Sequence, residues 1–234
     1  MADPHIYRFG HTDTIVSTKT QHKVLRNTYW LLALSMIPSV FGAWIGVITG
    51  FSLFTATSPI ISVLAFLVIA FGFIFAIEQT KHRAIGVFLL LGFTFFMGLM
   101  LSHLLSLVLG FTNGTSLIML AFGGTGLIFA TMATIATVSK RDFFGLGKWL
   151  FVGVFVMAFA SIANIFLQLS ALMLTVSILS IIIFSAYMLL DVQRVVKGGE
   201  TNYISAALMI YLDLYNVFTN LLVFLGILGG NRNN

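Results

Sequence analysis

The sequence contains no cysteine, which excludes disulfide bonds and thiolate metal sites. Charged residues are scarce as well. They make up 8% of the chain, against roughly 25% in soluble domains. Hydrophobic residues fill 59% of the 234 positions, which is more than a single soluble core of this size can bury. The composition therefore indicates a protein whose apolar surface faces a lipid bilayer.

Two further features are missing. The formal net charge is +5, but the basic residues lie between apolar runs and form no single patch of the kind that binds nucleic acid. Residues 1–28 are polar and lack the apolar core of a cleavable signal peptide. We therefore expect residues 1–28 to form a mobile cytoplasmic tail, and the first apolar run to remain in the membrane.

Long apolar runs dominate the rest of the chain. A membrane-spanning helix needs about 20 mostly apolar residues, and seven segments meet that requirement. They are residues 29–50, 59–78, 84–109, 115–138, 149–168, 172–197 and 202–228. We predict an all-α integral membrane protein with a seven-helix domain over residues 29–230 and a short C-terminal tail at 231–234.

The distribution of Lys and Arg predicts the orientation. Eleven of the twelve lie in the N-terminal tail, in the connections after the second and fourth segments, or in the stretch after Leu190, and only Arg232 falls on the other side. Basic residues in short loops stay in the cytoplasm. This predicts a cytoplasmic N-terminus and an external C-terminus. A six-span alternative, with the seventh segment re-entrant, would return the C-terminus to the cytoplasm.

Small residues recur at helical spacing in two segments, where they let helix backbones approach closely. The first segment carries Gly42, Gly46 and Gly50. The fourth carries Gly126, Ala130, Ala133 and Thr137. We expect both faces to pack inside the bundle, with homodimerisation as the alternative.

Polar side chains at bilayer depth are costly and usually face the bundle interior. Asp213, Asn216 and Asn220 share one face of the seventh segment. That stripe either lines a wet path or forms a hydrogen-bonded structural seam. A second polar face on the fifth segment holds Ser161, Asn164 and Gln168. The candidates for lining a path are Asn216, Asn220, Tyr187 and Asn164.

Asp191 is the second acidic residue that lies at depth. It falls about 9 Å from the end of its helix, and Asp213 lies about 17 Å into the next one. This spacing permits a carboxyl pair without proving one. Alternatively, Asp191 pairs only with Arg194, which lies three residues later on the same helix. Tyr187, one turn earlier, can reach Asp191.

Two acidic residues on adjacent helices also suggest an intramembrane aspartyl protease. The motifs of those enzymes are missing, because the local strings are Leu189-Leu190-Asp191 and Tyr211-Leu212-Asp213. A retinal protein is excluded because the seventh segment holds no lysine. We expect no enzymatic activity and no cofactor.

The C-terminal third resembles a known family. The strings LLDVQRVVKGGETNYI and YLDLYNVF are similar to the signature of the Bax inhibitor-1 family. HKVLRNTYWLLALS, ANIFLQLSAL and GGETNYI are similar, more narrowly, to its bacterial YccA-like subgroup. The resemblance implies a central C-terminal helix wrapped by two three-helix layers.

The resemblance also implies a function. The two aspartates of the family fall on Asp191 and Asp213, as a pH sensor and gate of a cation leak that mainly carries calcium. The pair would bind calcium weakly and transiently, as a permeant ion. The YccA-like subgroup is linked to the inner-membrane AAA protease FtsH, whose action it restrains. This chain departs from the family in two places. Residues 59–78 contain no arginine to latch the acidic pair, and the string Leu101-Ser102-His103-Leu104 lacks the proline that many members have in the outer part of the third helix.

Two hypotheses therefore stand. In the first, Asp191 and Asp213 share one proton at neutral pH and hold the path shut. When the pH rises, the pair loses this proton and the path opens. In the second, the protein is a non-transporting modulator of FtsH in the bacterial inner membrane and binds the protease through its N-terminal tail. The sequence leaves the oligomeric state open.

Overall fold

The structure is a computed structural model. It describes the backbone of residues 9–51 and 59–230, and the side chains of residues 21–51 and 61–230. A short 3-10 turn at Phe144–Leu146 precedes the fifth helix. The helices are α1 (Phe9–Thr49), α2 (Pro59–Thr80), α3 (Ala84–Leu109), α4 (Gly114–Val138), α5 (Gly147–Leu167), α6 (Ser170–Val196) and α7 (Tyr203–Gly229).

The predicted fold class is confirmed. Each of the seven helices contains a stretch long and apolar enough to cross a membrane. The last helix, α7, runs without a break for 27 residues, which favours seven spans over the six-span alternative. We treat the chain as a seven-span membrane protein.

The first helix begins much earlier than residue 29, the predicted start. It extends from Phe9 to Thr49, so most of the predicted polar tail is helical. Hydropathy marks where a helix enters lipid, whereas helix formation needs only a run without strong breakers. No proline or glycine occurs between Gly10 and Pro38. Residues 1–8 and 231–234, at the two predicted tails, lie outside the described residues.

The C-terminal helix is the centre of the bundle. It contacts α1, α3 and, more lightly, α2 on one side, and α4 and α6 on the other. The second helix packs chiefly on α3, and α5 packs chiefly on α6. This is the predicted arrangement of two three-helix layers around α7.

Many exposed side chains are apolar and many buried side chains are polar, as expected for a protein in lipid. Trp30, Val68, Phe88 and Trp149 are each more than 70% exposed. The buried polar residues include Ser35, Thr94, Ser102, Ser180, Asp191, Gln193, Ser205 and Asp213. Because lipid surrounds the bundle, these exposed side chains remain in an apolar environment.

The glycine face of α1 packs inside the bundle, as predicted, against α3. A Cβ atom at Gly42 would overlap the backbone carbonyl oxygen of Phe95, and one at Gly46 would overlap the Ser102 side chain. From the other side, a Cβ atom at Gly98 would overlap the carbonyl oxygen of Ser39. Gly50 lies outside this contact and follows the last residue of α1 with a φ of +65°.

The small-residue face of α4 does not follow the prediction. Gly126, Ala130 and Thr137 are exposed, and no atom lies within 4 Å of a Cβ built at Gly126. Only Ala133 packs against the core. Spacing alone could not separate the two stripes, because the rotation of each helix about its axis is set by its neighbours.

Candidate functional site

Asp191 and Asp213 meet between α6 and α7. Their residues are 5% and 6% exposed, and the two carboxyl groups lie within hydrogen-bonding range of each other. Hydrophobic residues near the pair on both helices are fully buried, namely Leu190, Val192 and Ile210. The structure therefore brings together the two acidic residues that the sequence left as a possible pair.

The turn between α6 and α7 sets this pairing. The carbonyl oxygen of Arg194 accepts hydrogen bonds from the backbone N–H groups of Gly199 and Glu200. Gly198 adopts a φ of +76°, a left-handed conformation that favours glycine. The Asn202 side chain accepts from the N–H groups of Ile204 and Ser205 and so caps α7. The two helices thus run antiparallel with their acidic faces together.

Arg194 also contacts the pair. Its Nη1 donates to Asp191 Oδ1 at 2.9 Å, and its side chain is 40% exposed. The two interpretations of Asp191 are therefore compatible, since it touches both Arg194 and Asp213. The basic partner lies on α6 itself. It can stabilise the charge of Asp191, but it cannot tie another helix to α6 as an arginine on α2 would.

One oxygen of the pair has no partner. Asp213 Oδ2 and Ser205 Oγ are the only buried side-chain polar atoms without a hydrogen bond in the part of the chain whose side chains are described. A buried carboxylate oxygen without a partner is costly. The site can therefore gain by taking up a proton or a cation. The described ranges hold no cluster of three or more His, Asp or Glu side chains that could form a resident metal site.

A separate cavity of about 290 Å³ lies toward the other end of the bundle. It brings together two of the predicted path residues, Asn164 of α5 and Asn220 of α7. The other residues that line it are Ser161, Ile165, Met173, Val176, Ser177 and Val223. The cavity therefore joins the polar faces of α5 and α7.

The remaining path candidates lie elsewhere. Asn216 does not line the cavity. It sits on α7 between Asp213 and Asn220, and its amide donates to the carbonyl oxygen of Leu212 at 2.8 Å. Tyr187 is half-buried near the acidic pair. No hydrogen bond from Tyr187 to Asp191 occurs between the described side chains.

Three of the predicted polar residues have local structural roles. Asn164 Oδ1 accepts from the Leu169 N–H at 3.0 Å and so supports the α5–α6 turn. Gln168 ends α5 in a left-handed conformation. The Asn220 amide donates to the Asn216 carbonyl oxygen at 2.8 Å. The polar stripe on α7 is thus partly a hydrogen-bonded seam and partly a cavity lining.

Sequence reasoning missed Gln193, which is fully buried two residues after Asp191. Its Oε1 accepts from the Phe143 N–H at 2.9 Å, and its Nε2 donates to the Arg141 carbonyl oxygen at 2.9 Å. Lys197 donates to the same carbonyl oxygen and lies 3.7 Å from Asp142. These hydrogen bonds therefore hold the α4–α5 connection against the end of α6, beside the acidic pair. Nothing in the sequence marks Gln193 as the residue that does this.

A second polar contact holds α7 against α1 and α3, which belong to the other three-helix layer. The Tyr211 hydroxyl shares a hydrogen bond of 2.8 Å with Ser39 Oγ of α1. Ser39 Oγ also donates to the Thr94 carbonyl oxygen of α3 at 3.0 Å. Tyr211 lies two residues before Asp213, so this contact holds the acidic segment of α7 against α1 and α3.

Comparison with known proteins identifies the family of this chain. Residues 21–231 match the family described as "Inhibitor of apoptosis-promoting Bax1". An uncharacterized membrane protein of Vibrio cholerae is 33% identical, over 95% of this chain and 97% of its own length. A protein of Escherichia coli K12 named "Modulator of FtsH protease YccA" is 36% identical, over 90% of this chain and 92% of its own. The chain therefore belongs to the Bax inhibitor-1 family and is similar to its YccA members.

Proposed function

We propose that this protein is a pH-sensitive cation leak that carries calcium and is gated by Asp191 and Asp213. The observation that carries the proposal is the contact between these two buried carboxyl groups, one of which has an oxygen without a hydrogen bond. Buried polar atoms in structural seams are as a rule paired. The pair is proposed as a proton and cation site, and not as a catalytic dyad, because the protease motifs are missing.

The proposed gate works through one shared proton. Two adjacent carboxyl groups in a poorly solvated site cannot both ionise cheaply, and they titrate as a unit. When one carries the proton, it donates a hydrogen bond to the other and holds α6 against α7. When rising pH removes that proton, repulsion between the carboxylates separates the helices. The exposed oxygens then suit a hard cation such as calcium.

The rest of the proposed path runs along α7. Asn164 and Asn220 line the cavity of about 290 Å³, beyond Asp213. Between the cavity and the pair, the fully buried Val217 occupies α7, and the buried Ser180 hydroxyl donates to Met157 Sδ at 3.2 Å. In the proposed mechanism, this packed layer is the closed state of the gate.

Calcium flux across a pH series tests the proposal. Purified protein in proteoliposomes should show a leak that rises from the acidic to the alkaline end of the series, as the shared proton is lost. Protein-free liposomes give the background. Flux at the background level throughout the series would refute the transport function.

A second candidate function is supported by a relative. The E. coli protein named as a modulator of FtsH protease is similar over 90% of this chain. We propose that this chain also modulates an FtsH-type protease in the bacterial inner membrane. The polar N-terminal segment, of which residues 9–20 precede the first span, is the proposed contact.

Deletion of residues 1–20 should separate folding from partner binding. Gln21, the first residue that the deletion keeps, contacts the α6–α7 turn at Gly198, so this contact stays in place. We expect membrane levels and thermal stability close to those of the full chain, together with loss of co-purification with the protease. A truncated protein that is unstable in membranes but still retains the protease would contradict this assignment.

The proposed orientation places the N-terminus in the cytoplasm. Lys81, Arg141, Lys148 and Arg194 all lie at the ends of helices or in connections on one side, which we call the basic end of the bundle. Basic residues favour the cytoplasmic side. The odd-numbered helices begin at this basic end.

Single cysteines test the orientation directly, because the chain has no others. Thr112 lies in the exposed α3–α4 connection, and Gly145 lies in the exposed 3-10 turn at the basic end. The two test proteins carry Thr112→Cys and Gly145→Cys, one substitution each. An impermeant thiol reagent applied to intact cells should label position 112. It should label position 145 only after permeabilisation. The reverse labelling pattern would invert the proposed topology.

A further inference from the structure

An open groove of about 510 Å³ lies at the basic end of the bundle, between α1, α3 and α7. Arg26, Asn27, Trp30 and Leu34 of α1 form one wall. Val87, in the first turn of α3, and Tyr203, the first residue of α7, contribute to the other. All three helices begin at this end, so the groove lies at the boundary between the bilayer and water.

The α1 wall changes from polar to apolar with depth. Arg26 is exposed, Trp30 is 72% exposed one turn further, and Leu34 is 46% exposed after another turn. From Arg26 to Leu34 the helix rises about 12 Å. A cation, an interfacial aromatic ring and an apolar side chain therefore follow one another along this wall. Tryptophan, tyrosine and arginine at such a depth are typical of the headgroup region.

No side chain that the structure describes forms an ion pair with the charge at the mouth of the groove. The ion pairs between described side chains are Lys81–Glu78, Arg194–Asp191 and Lys197–Asp142, so none of them uses Arg26. Lys23 lies one turn earlier on α1 and is also exposed. The groove thus has positive charge at its mouth and apolar side chains deeper in the bilayer. A complementary ligand has a negatively charged headgroup and an apolar chain.

We propose that this groove binds one anionic phospholipid of the leaflet at the basic end. The phosphate contacts Arg26 and Asn27, and an acyl chain lies along Trp30 and Leu34. A hydrophobic helix of a partner protein would use the apolar floor but would leave the Arg26 charge uncompensated. The inference does not depend on the transport function, because the groove is separate from the acidic pair.

Fluorescence quenching by brominated lipids measures this directly. In a Trp44→Phe, Trp149→Phe protein, Trp30 is the only tryptophan left of the three in the chain. It should be quenched more strongly by brominated phosphatidylglycerol than by brominated phosphatidylcholine, with about a fivefold preference. That is the effect expected for one arginine near a membrane surface. Arg26→Gln should bring the preference close to one, and Arg26→Lys should keep it.

The matched control uses another tryptophan of the same helix. Trp44 lies 14 residues further along α1, is 59% exposed, and falls near the opposite end of the span. A protein that keeps only Trp44 should show no preference between the two lipids. Equal quenching of Trp30 by both lipids in the purified protein would overturn the proposal and would favour a partner helix as the occupant. A preference that survives Arg26→Gln, or one that Trp44 shares, would also overturn it.

Discussion

Asp191→Asn and Asp213→Asn should each remove most of the pH dependence of calcium flux. Asparagine has nearly the same shape as aspartate, but it carries no titratable proton. Its amide can donate a permanent hydrogen bond to the remaining carboxylate, so no proton is left to share. In the Asp213→Asn protein, Asp191 retains its contact with Arg194 at 2.9 Å. Because the shared proton is gone, flux across the pH series should be nearly flat.

The two substitutions should differ in rate. Asp213 lies deeper in the bundle and carries the oxygen without a hydrogen-bond partner, so its loss removes the more available cation ligand. We expect Asp213→Asn to lower calcium flux more than Asp191→Asn does. Flux in proteoliposomes at a fixed, alkaline pH measures this difference.

A third carboxylate provides the control. Glu78 lies near the end of α2, is bonded to Lys81 at 2.7 Å, and takes no part in the acidic pair. Glu78→Gln should keep the wild-type pH response. If both aspartate variants also kept it, the shared-proton gate would be refuted. Asp191 would then be only the partner of Arg194.

Gly98→Ala should strongly destabilise the protein, although it adds a single methyl group. The new Cβ atom would overlap the backbone carbonyl oxygen of Ser39, and a backbone cannot move aside as a flexible side chain can. The contact between α1 and α3 is the most extensive helix pairing in the bundle. We expect a loss of roughly 3 kcal/mol, the upper part of the usual range for overpacking, measured by denaturant titration in detergent.

Gly126→Ala is the matched control for this prediction. Both glycines lie within membrane-spanning helices, but the Cβ atom at Gly126 would meet no atom within 4 Å. Alanine is favoured over glycine inside a helix by roughly 0.5–1 kcal/mol. This variant should therefore be as stable as the wild type, or slightly more stable. Equal stability of the Gly98 and Gly126 variants would show that α1 and α3 are not in the close contact described here.

The seven spans could be predicted from the sequence because each depends on a local property. A run of about 20 apolar residues has no stable place other than lipid, whatever its neighbours are. The start of α1 could not be predicted in the same way. Hydropathy marks residue 29 as the entry into lipid, whereas the helix continues outward to Phe9 through polar residues.

The sequence by itself determined that the chain crosses the membrane seven times, that Asp191 and Asp213 lie at depth, and that α7 carries a polar stripe. Only the tertiary structure decided that the two carboxyl groups meet and that Gln193 holds the α4–α5 connection beside them. It also decided that the glycines of α1 are packed while Gly126 of α4 is exposed. The physical reason is that spacing along a helix defines a face but not the direction in which that face points. The rotation and tilt of each helix are set by packing against helices far away in the sequence, and no local pattern records them.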